Sequence, residues 1–283
     1  MQDLTILLFK FFCAIIKSFL PLLTKFTQGA LMQRNSRLGI LNANAIKIIA
    51  AIFMTVDHVG LVFFPKVQIL RIIGRLSMPL FSFMIAEGAR YTRNKIRYFL
   101  IIFLLGAAFQ GVYYAVEGEL YLGILITFSI SILLIYALQL LKKKIDNGGS
   151  EETLFSFLLF ALAVAATYFL NESFSIDYGF WGCLLPVFAA IPHPIDNEAE
   201  IKSSIFAILP LDYLSFAVGL VILSVFYGEI QCFALLSLPI LFFYSGKRGK
   251  LNLKYFFYIF YPAHLLVIYA IYALLNEYAI LLL

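Results

Sequence analysis

Charge is what this chain has least of. Of 283 residues only 13% are charged, while 63% are hydrophobic and 17% aromatic. A soluble domain carries about a quarter of its residues as Asp, Glu, Lys or Arg, so a soluble all-helical protein is a poor second reading. Mean hydropathy is +0.94, and apolar runs near bilayer-spanning length recur along the chain. Together these read as a polytopic membrane protein. Cysteine is also scarce. Cys13, Cys183 and Cys232 are odd in number and widely spaced. With no CxxC and no Cys/His cluster, neither a disulfide scaffold nor a metal site is expected. The net charge of +5 does not imply a nucleic-acid partner. The basic residues fall in short clusters between apolar runs, as loops do under the positive-inside rule.

The first residues, MQDLTILLFKFFCAIIKSFLPLLTKF, differ from a signal peptide. Asp3 stands near the start, and Lys10, Lys17 and Lys25 lie within and after the apolar stretch. Their spacing of seven and eight residues puts them on one helical face. Residues 1–38 are expected to form an amphipathic interfacial helix and connector, with a true span as the alternative. Residues 39–283 are expected to form one transmembrane domain.

The fold expected is an all-α, polytopic transmembrane helical bundle. It has about nine membrane segments, near 45–64, 68–89, 97–116, 120–141, 154–170, 178–192, 204–226, 230–245 and 254–275. The sixth is short and carries Gly179, Gly182 and Pro186, so it is expected to be kinked or re-entrant. If all nine cross, the clusters Arg34/Arg37, Arg90–Arg97, Lys142–Lys144 and Lys247–Lys254 share one side. Glu117, Glu119, Glu172, Asp177 and Glu229 then share the other. The rule places the start of the first span in the cytoplasm of a multi-pass cell-membrane protein. The acidic loop HPIDNEAEIK at 193–202 runs against it.

Polar groups interrupt the spans. In KIIAAIFMTVDHVGLVFF, Lys47 and His58 stand eleven residues apart. That is three turns and a small offset, so they share a face roughly 16 Å long, with Ala51, Met54 and Thr55 between them. Asp57 lies about 100° around the helix from His58. Ionisable groups inside a span are costly and mark function by default, although Lys47 can also snorkel to the interface. In LRIIGRLSMPLFSFMIAEGARYTRN, Arg71, Arg75, Ser82 and Ala86 form one stripe. Pro79 is expected to kink this helix or open its backbone bonding, and Glu87 to pair with Arg90 at the surface. Arg71 is free to snorkel outward, whereas Arg75 lies deeper. In YFFYIFYPAHLLVIYAIY, Tyr261 and His264 flank Pro262. His193 sits between prolines and reads as structural. A histidine beside a carboxylate suits general-base catalysis, and guanidinium groups stabilise anions. No Ser or Cys nucleophile sits in a recognisable motif, which favours direct transfer. A transporter or flippase with intramembrane ionisable residues is the alternative, and a non-catalytic assembly factor is the third reading.

The succession LNANAIKIIAAIFMTVDHVGLVFFP, LRIIGRLSMPLFSFMIAEGARYTRN, SIDYGFWGCLL and YSGKRGKLNLKYFFYIFYPAHLLVIY resembles the TraX family, whose namesake is associated with acetylation of conjugative pilin. The resemblance runs from about residue 40 to 275. The spacing of Lys47 and His58 is also similar to that of basic residue and histidine in acyltransferase-3-type enzymes. The resemblance implies a membrane acetyltransferase that takes acetyl-CoA as acyl donor from the cytoplasm and uses no metal. His58 would be the general base and Asp57 its support. Lys47, Arg71, Arg75, Ser82, Tyr261 and His264 would bind donor or acceptor. The implied partners are acyl-CoA, the lipid bilayer and an acceptor peptide, glycan or lipid.

Overall fold

A computed structural model describes residues 39–192, 211–250 and 253–281. The expected amphipathic helix, Cys13, His193 and the loop 193–202 lie outside the described residues. Among those described, helix dominates, as it must in lipid, where each segment has to satisfy its own backbone. In chain order the helices are α1 (Ala43–Phe63), α2 (Gln68–Gly74), α3 (Ser77–Tyr91), α4 (Lys95–Glu117), α5 (Ile124–Asn147), α6 (Ser150–Ser173), α7 (Gly179–Ala190) and α8 (Leu211–Tyr227). A 3-10 helix (Glu229–Leu236), α9 (Ser237–Phe242) and α10 (Lys254–Leu281) follow. Local sequence sets several ends. Asn42 and Asn94 cap α1 and α4 by accepting from the backbone N–H of Ala45 and Arg97, at 3.0 and 2.9 Å.

Every expected segment corresponds to a helix or a helical pair. Among the described residues, five stretches are long and apolar enough to cross a bilayer: α1, α2 with α3, α4, α5 and α6. Shorter apolar helices lie at Gly179–Ala190, Leu211–Tyr227, Ile230–Phe242 and Ile259–Leu275. Among the described residues, five of the nine expected segments therefore reach spanning length. The sixth segment, α7, has only twelve residues, about 18 Å at helical rise, well short of a 30 Å hydrocarbon core.

The second segment is broken, not merely bent. α2 ends at Gly74, and Arg75 and Leu76 form a turn before α3. Pro79 accounts for this one turn upstream of itself. It has no N–H for the carbonyl of Arg75, four residues back, and its ring crowds that carbonyl. Within α3 it sits in the first turn, where a proline is tolerated.

The basic clusters gather at one end of the bundle. Lys95 on α4 donates to Gln139 on α5 at 2.6 Å. Lys142 on α5 donates to the carbonyls of Ala190 and Ile191 at the end of α7. The start of α1 meets the same end through Ala43 N–H to the Lys247 carbonyl at 2.8 Å. At the opposite end the sequence conceals a small parallel sheet. β1 (Tyr121–Leu122) pairs with β2 (Ser175–Ile176), and α5 and α7 leave it side by side. Thr127 donates to the Asp177 carbonyl at 2.8 Å and Ser131 to the Cys183 carbonyl at 2.7 Å. The core is packed by Ile46, Leu80, Ile135, Leu185 and Phe216, all fully buried. α6 instead exposes Phe155, Leu158, Leu162 and Phe169, a face suited to lipid.

A backbone clasp holds the start of α1. Leu41 N–H donates to Phe243 and Ser245 N–H to Leu41, at 3.0 and 2.7 Å. A Cβ at Gly39 would overlap the Ser245 backbone. Gly39→Ala is therefore expected to destabilise the detergent-solubilised protein by about 1–3 kcal/mol, as overpacking does. An unchanged thermal midpoint would show that the clasp carries no stability.

Candidate functional site

Asp57 points from α1 at the break between α2 and α3. Arg71 Nη1 lies 2.9 Å from Asp57 Oδ2, and Arg75 Nη2 lies 3.2 Å from the same oxygen. Arg75 Nη2 also donates to Oδ1 at 3.3 Å. Arg71, expected to be free to snorkel, is held inward. Gly74 makes the approach possible, because a Cβ there would overlap the Asp57 carboxylate.

His58 turns the other way, toward α10. Its Nδ1 lies 3.0 Å from His264 Nε2, and His264 Nδ1 lies 2.9 Å from the Phe260 carbonyl. The carbonyl can only accept, so His264 Nδ1 carries its proton and His264 Nε2 offers a lone pair. His58 Nδ1 must then donate to it. That leaves His58 Nε2 unprotonated, the form a general base requires. Phe260 stacks on the His264 ring at 5.1 Å and 6° and holds its plane. The partner that orients the imidazole is thus His264, while the carboxylate of Asp57 is taken up by Arg71 and Arg75.

A cavity of about 1410 Å³ runs from the basic end past these groups. Lys47, Asp57, His58, Arg71, Arg75 and Tyr261 all line it, with His264 behind His58. Lys47 stands over the Phe257 ring at 5.8 Å. Ser82 does not belong to the site. It is fully buried in the core and donates to Met78 Sδ at 3.4 Å, because the break at Arg75 takes the two arginines off the helical stripe that Ser82 follows. Ala51 and Thr55, which stand between Lys47 and His58 on the shared face, do not line the cavity. Ala51 is buried in the core, and the Thr55 hydroxyl bonds back to the Ala51 carbonyl at 3.0 Å.

Two residues read as surface or loop charges belong here, and Tyr178 joins them. Glu87, only 5% exposed, accepts from the Tyr244 hydroxyl at 3.0 Å and lines the cavity. It is buried rather than at the surface. Asp177, expected as a solvated loop charge, lines the opposite end with Tyr178. Burial raises the Asp177 carboxyl above the usual range, while the Tyr121 hydroxyl and Arg75 pull it back. Tyr178 and Gly179 both hold positive φ, 56° and 49°. For tyrosine this is a strained conformation of the kind found at functional sites, and Arg75 stacks over its ring at 5.8 Å. The signal in the sequence was the Asp-Tyr-Gly triplet ahead of an apolar helix.

Comparison with known families matches residues 42–272 to the family described as TraX protein. The chain belongs to the TraX family. The match begins at the Asn42 cap of α1 and ends within α10, so its range spans the site residues from Lys47 to His264. The probable fimbrial assembly protein FimC, serogroup H1, of Dichelobacter nodosus is 30% identical over 247 residues, covering 79% of this chain and 93% of that protein. The uncharacterized protein RP591 of Rickettsia prowazekii (strain Madrid E) is 53% identical over 38 residues, or 13% of this chain and 15% of the relative. No solved structure matches.

Removing the Asp57 carboxylate leaves two guanidinium groups facing each other with little water. Asp57→Ala is expected to destabilise the protein by about 2–4 kcal/mol, below the loss from a fully enclosed pair because Arg71 keeps some solvent. Thermal unfolding in detergent measures it, and a loss under about 0.5 kcal/mol would fit an ordinary exposed pair instead.

Proposed function

We propose that this TraX-family chain is an integral membrane acyltransferase. It moves an acetyl group from acetyl-CoA to an amine or hydroxyl of an acceptor peptide, glycan or lipid-linked sugar. The observation that carries the reading is the hydrogen-bond chain from the Phe260 carbonyl through His264 to His58, which leaves the His58 Nε2 lone pair available on a cavity wall. The N-terminus of α1 is assigned to the cytoplasm, where Lys47, Arg93 and Arg248 draw the phosphates of the donor to the basic end. The roughly 1410 Å³ of space exceeds an ordinary single-ligand pocket of about 300–1,000 Å³, which suits donor and acceptor together.

The reaction follows from the groups present. His58 Nε2 takes the proton of the acceptor N–H or O–H as that atom attacks the thioester carbon. The new bond forms as the carbonyl π pair moves to oxygen. The intermediate collapses, the C–S bond breaks, and the thiolate leaves with the proton held on His58. Charge on the imidazolium is relieved through Nδ1–H to the neutral His264. The relative named a fimbrial assembly protein makes a pilin-like peptide the first acceptor to try.

Acetyl-CoA turnover by purified protein, with that peptide present, tests the reading. His58→Ala is expected to lower the rate by about 10²–10⁴-fold with donor binding kept. His264→Gln, whose amide oxygen can accept from His58 Nδ1–H, is expected to keep more activity than His264→Ala. Full activity in His58→Ala would end the proposal. So would movement of an acceptor across vesicles with no acetyl-CoA consumed, the outcome of a transporter.

A further inference from the structure

Two buried N–H donors that line the cavity have no hydrogen-bond partner among the described residues: Arg75 Nε and Gln231 Nε2. Arg75 spends its Nη2 on Asp57, which leaves the Nε edge of the fork open. Gln231 is only 3% exposed, and neither the composition nor any motif marks it. Its backbone is fixed, with its N–H donating to Gly228 at 3.0 Å and its carbonyl accepting from Ser224 at 3.2 Å. The 3-10 helix that carries it packs on α2 and on α3, the two helices that flank Arg75. Asp57 ties the same arginine to the residue beside His58.

Burying a donor unpaired costs stability, and here two line one cavity. What they lack is an acceptor, and an oxygen completes them, most strongly one carrying negative charge. An acyl chain or an ammonium would leave both unsatisfied. The acyltransferase reading supplies such an oxygen. As the acceptor bond to the thioester carbon forms, the carbonyl π pair moves to oxygen, and it returns when the C–S bond breaks. We propose that Gln231 Nε2–H and Arg75 Nε–H receive that oxyanion, which makes Gln231 a catalytic residue. This inference rests on the acyltransferase reading.

The test uses Gln231→Met, which keeps the length and removes the donor, and Gln231→Glu, which keeps the shape. Both are read beside the wild type in acetyl-CoA turnover. The expected result is a fall in kcat of about 100-fold or more, the usual loss for one oxyanion donor. KM for donor and acceptor should stay unchanged. The thermal midpoint of Gln231→Met should be equal or higher, since no side-chain N–H bond is lost. A glutamine that only holds the fold would do the reverse, lowering the midpoint and keeping kcat. Wild-type kcat in both variants overturns the inference and leaves the acyltransferase reading standing. A raised acceptor KM at unchanged kcat also overturns it, because the donors then hold the acceptor. No turnover by the wild type overturns both.

Discussion

A carboxylate inside an apolar helical bundle must be paired, and the pairing of Asp57 is the constraint around which the first three helices are arranged. An unpaired charge there would be prohibitive. Two guanidinium groups meet it, and each demands something of the chain. Arg75 reaches it from a turn rather than from a continuous helix, and Pro79 opens that turn by leaving the Arg75 carbonyl without its donor. Gly74 is the residue that touches Asp57, since any side chain there would displace the carboxylate. The ion cluster thereby fixes the rotation of α1. With Asp57 facing α2, its neighbour, about 100° away on the helix, can only face α10.

That rotation brings together two histidines 206 residues apart. The arrangement differs from the familiar one in which a carboxylate orients the imidazole. Here the carboxylate is already taken by two cations, and a second histidine stands in its place. A neutral partner adds no charge to a low-dielectric bundle, where each added charge needs its own counter-ion. It is oriented in turn by the Phe260 carbonyl, which α10 leaves with capacity for a second hydrogen bond. The strained Tyr178 and the unsatisfied donors at Arg75 and Gln231 line the same cavity. Their cost is borne by a core that is otherwise tightly packed, the distribution expected where a site is prepared in advance of its ligand.

Much of this could be read from the residues. Apolar length and the basic clusters gave the helices and their common end. The cost of charge in a span pointed to Lys47, Asp57, His58, Arg71 and Arg75, and all five line one cavity. Tyr261 and His264 stood out because a histidine beside a helix-interior proline is unusual. What could not be read depended on tertiary contacts. Ser82 shares helical spacing with Arg75, but spacing presumes an unbroken helix, and the turn at Arg75 and Leu76 cancels it. Glu87 looks like half of an i,i+3 surface pair until Tyr244, 157 residues away, covers it. Asp177 looks like a loop acid until the two-residue strands fold it against Arg75. Strands that short carry no periodicity. Gln231 is an ordinary amide in an apolar stretch, visible only once its N–H is seen to lack a partner.

The central claim is the tautomer of His58, and nitrogen-15 NMR of histidine-labelled protein in detergent reads it directly. The account predicts that His58 carries its proton on Nδ1 and none on Nε2, with a coupling across the hydrogen bond to His264 Nε2. A His58 protonated on Nε2, or one with no coupling to His264, would contradict it.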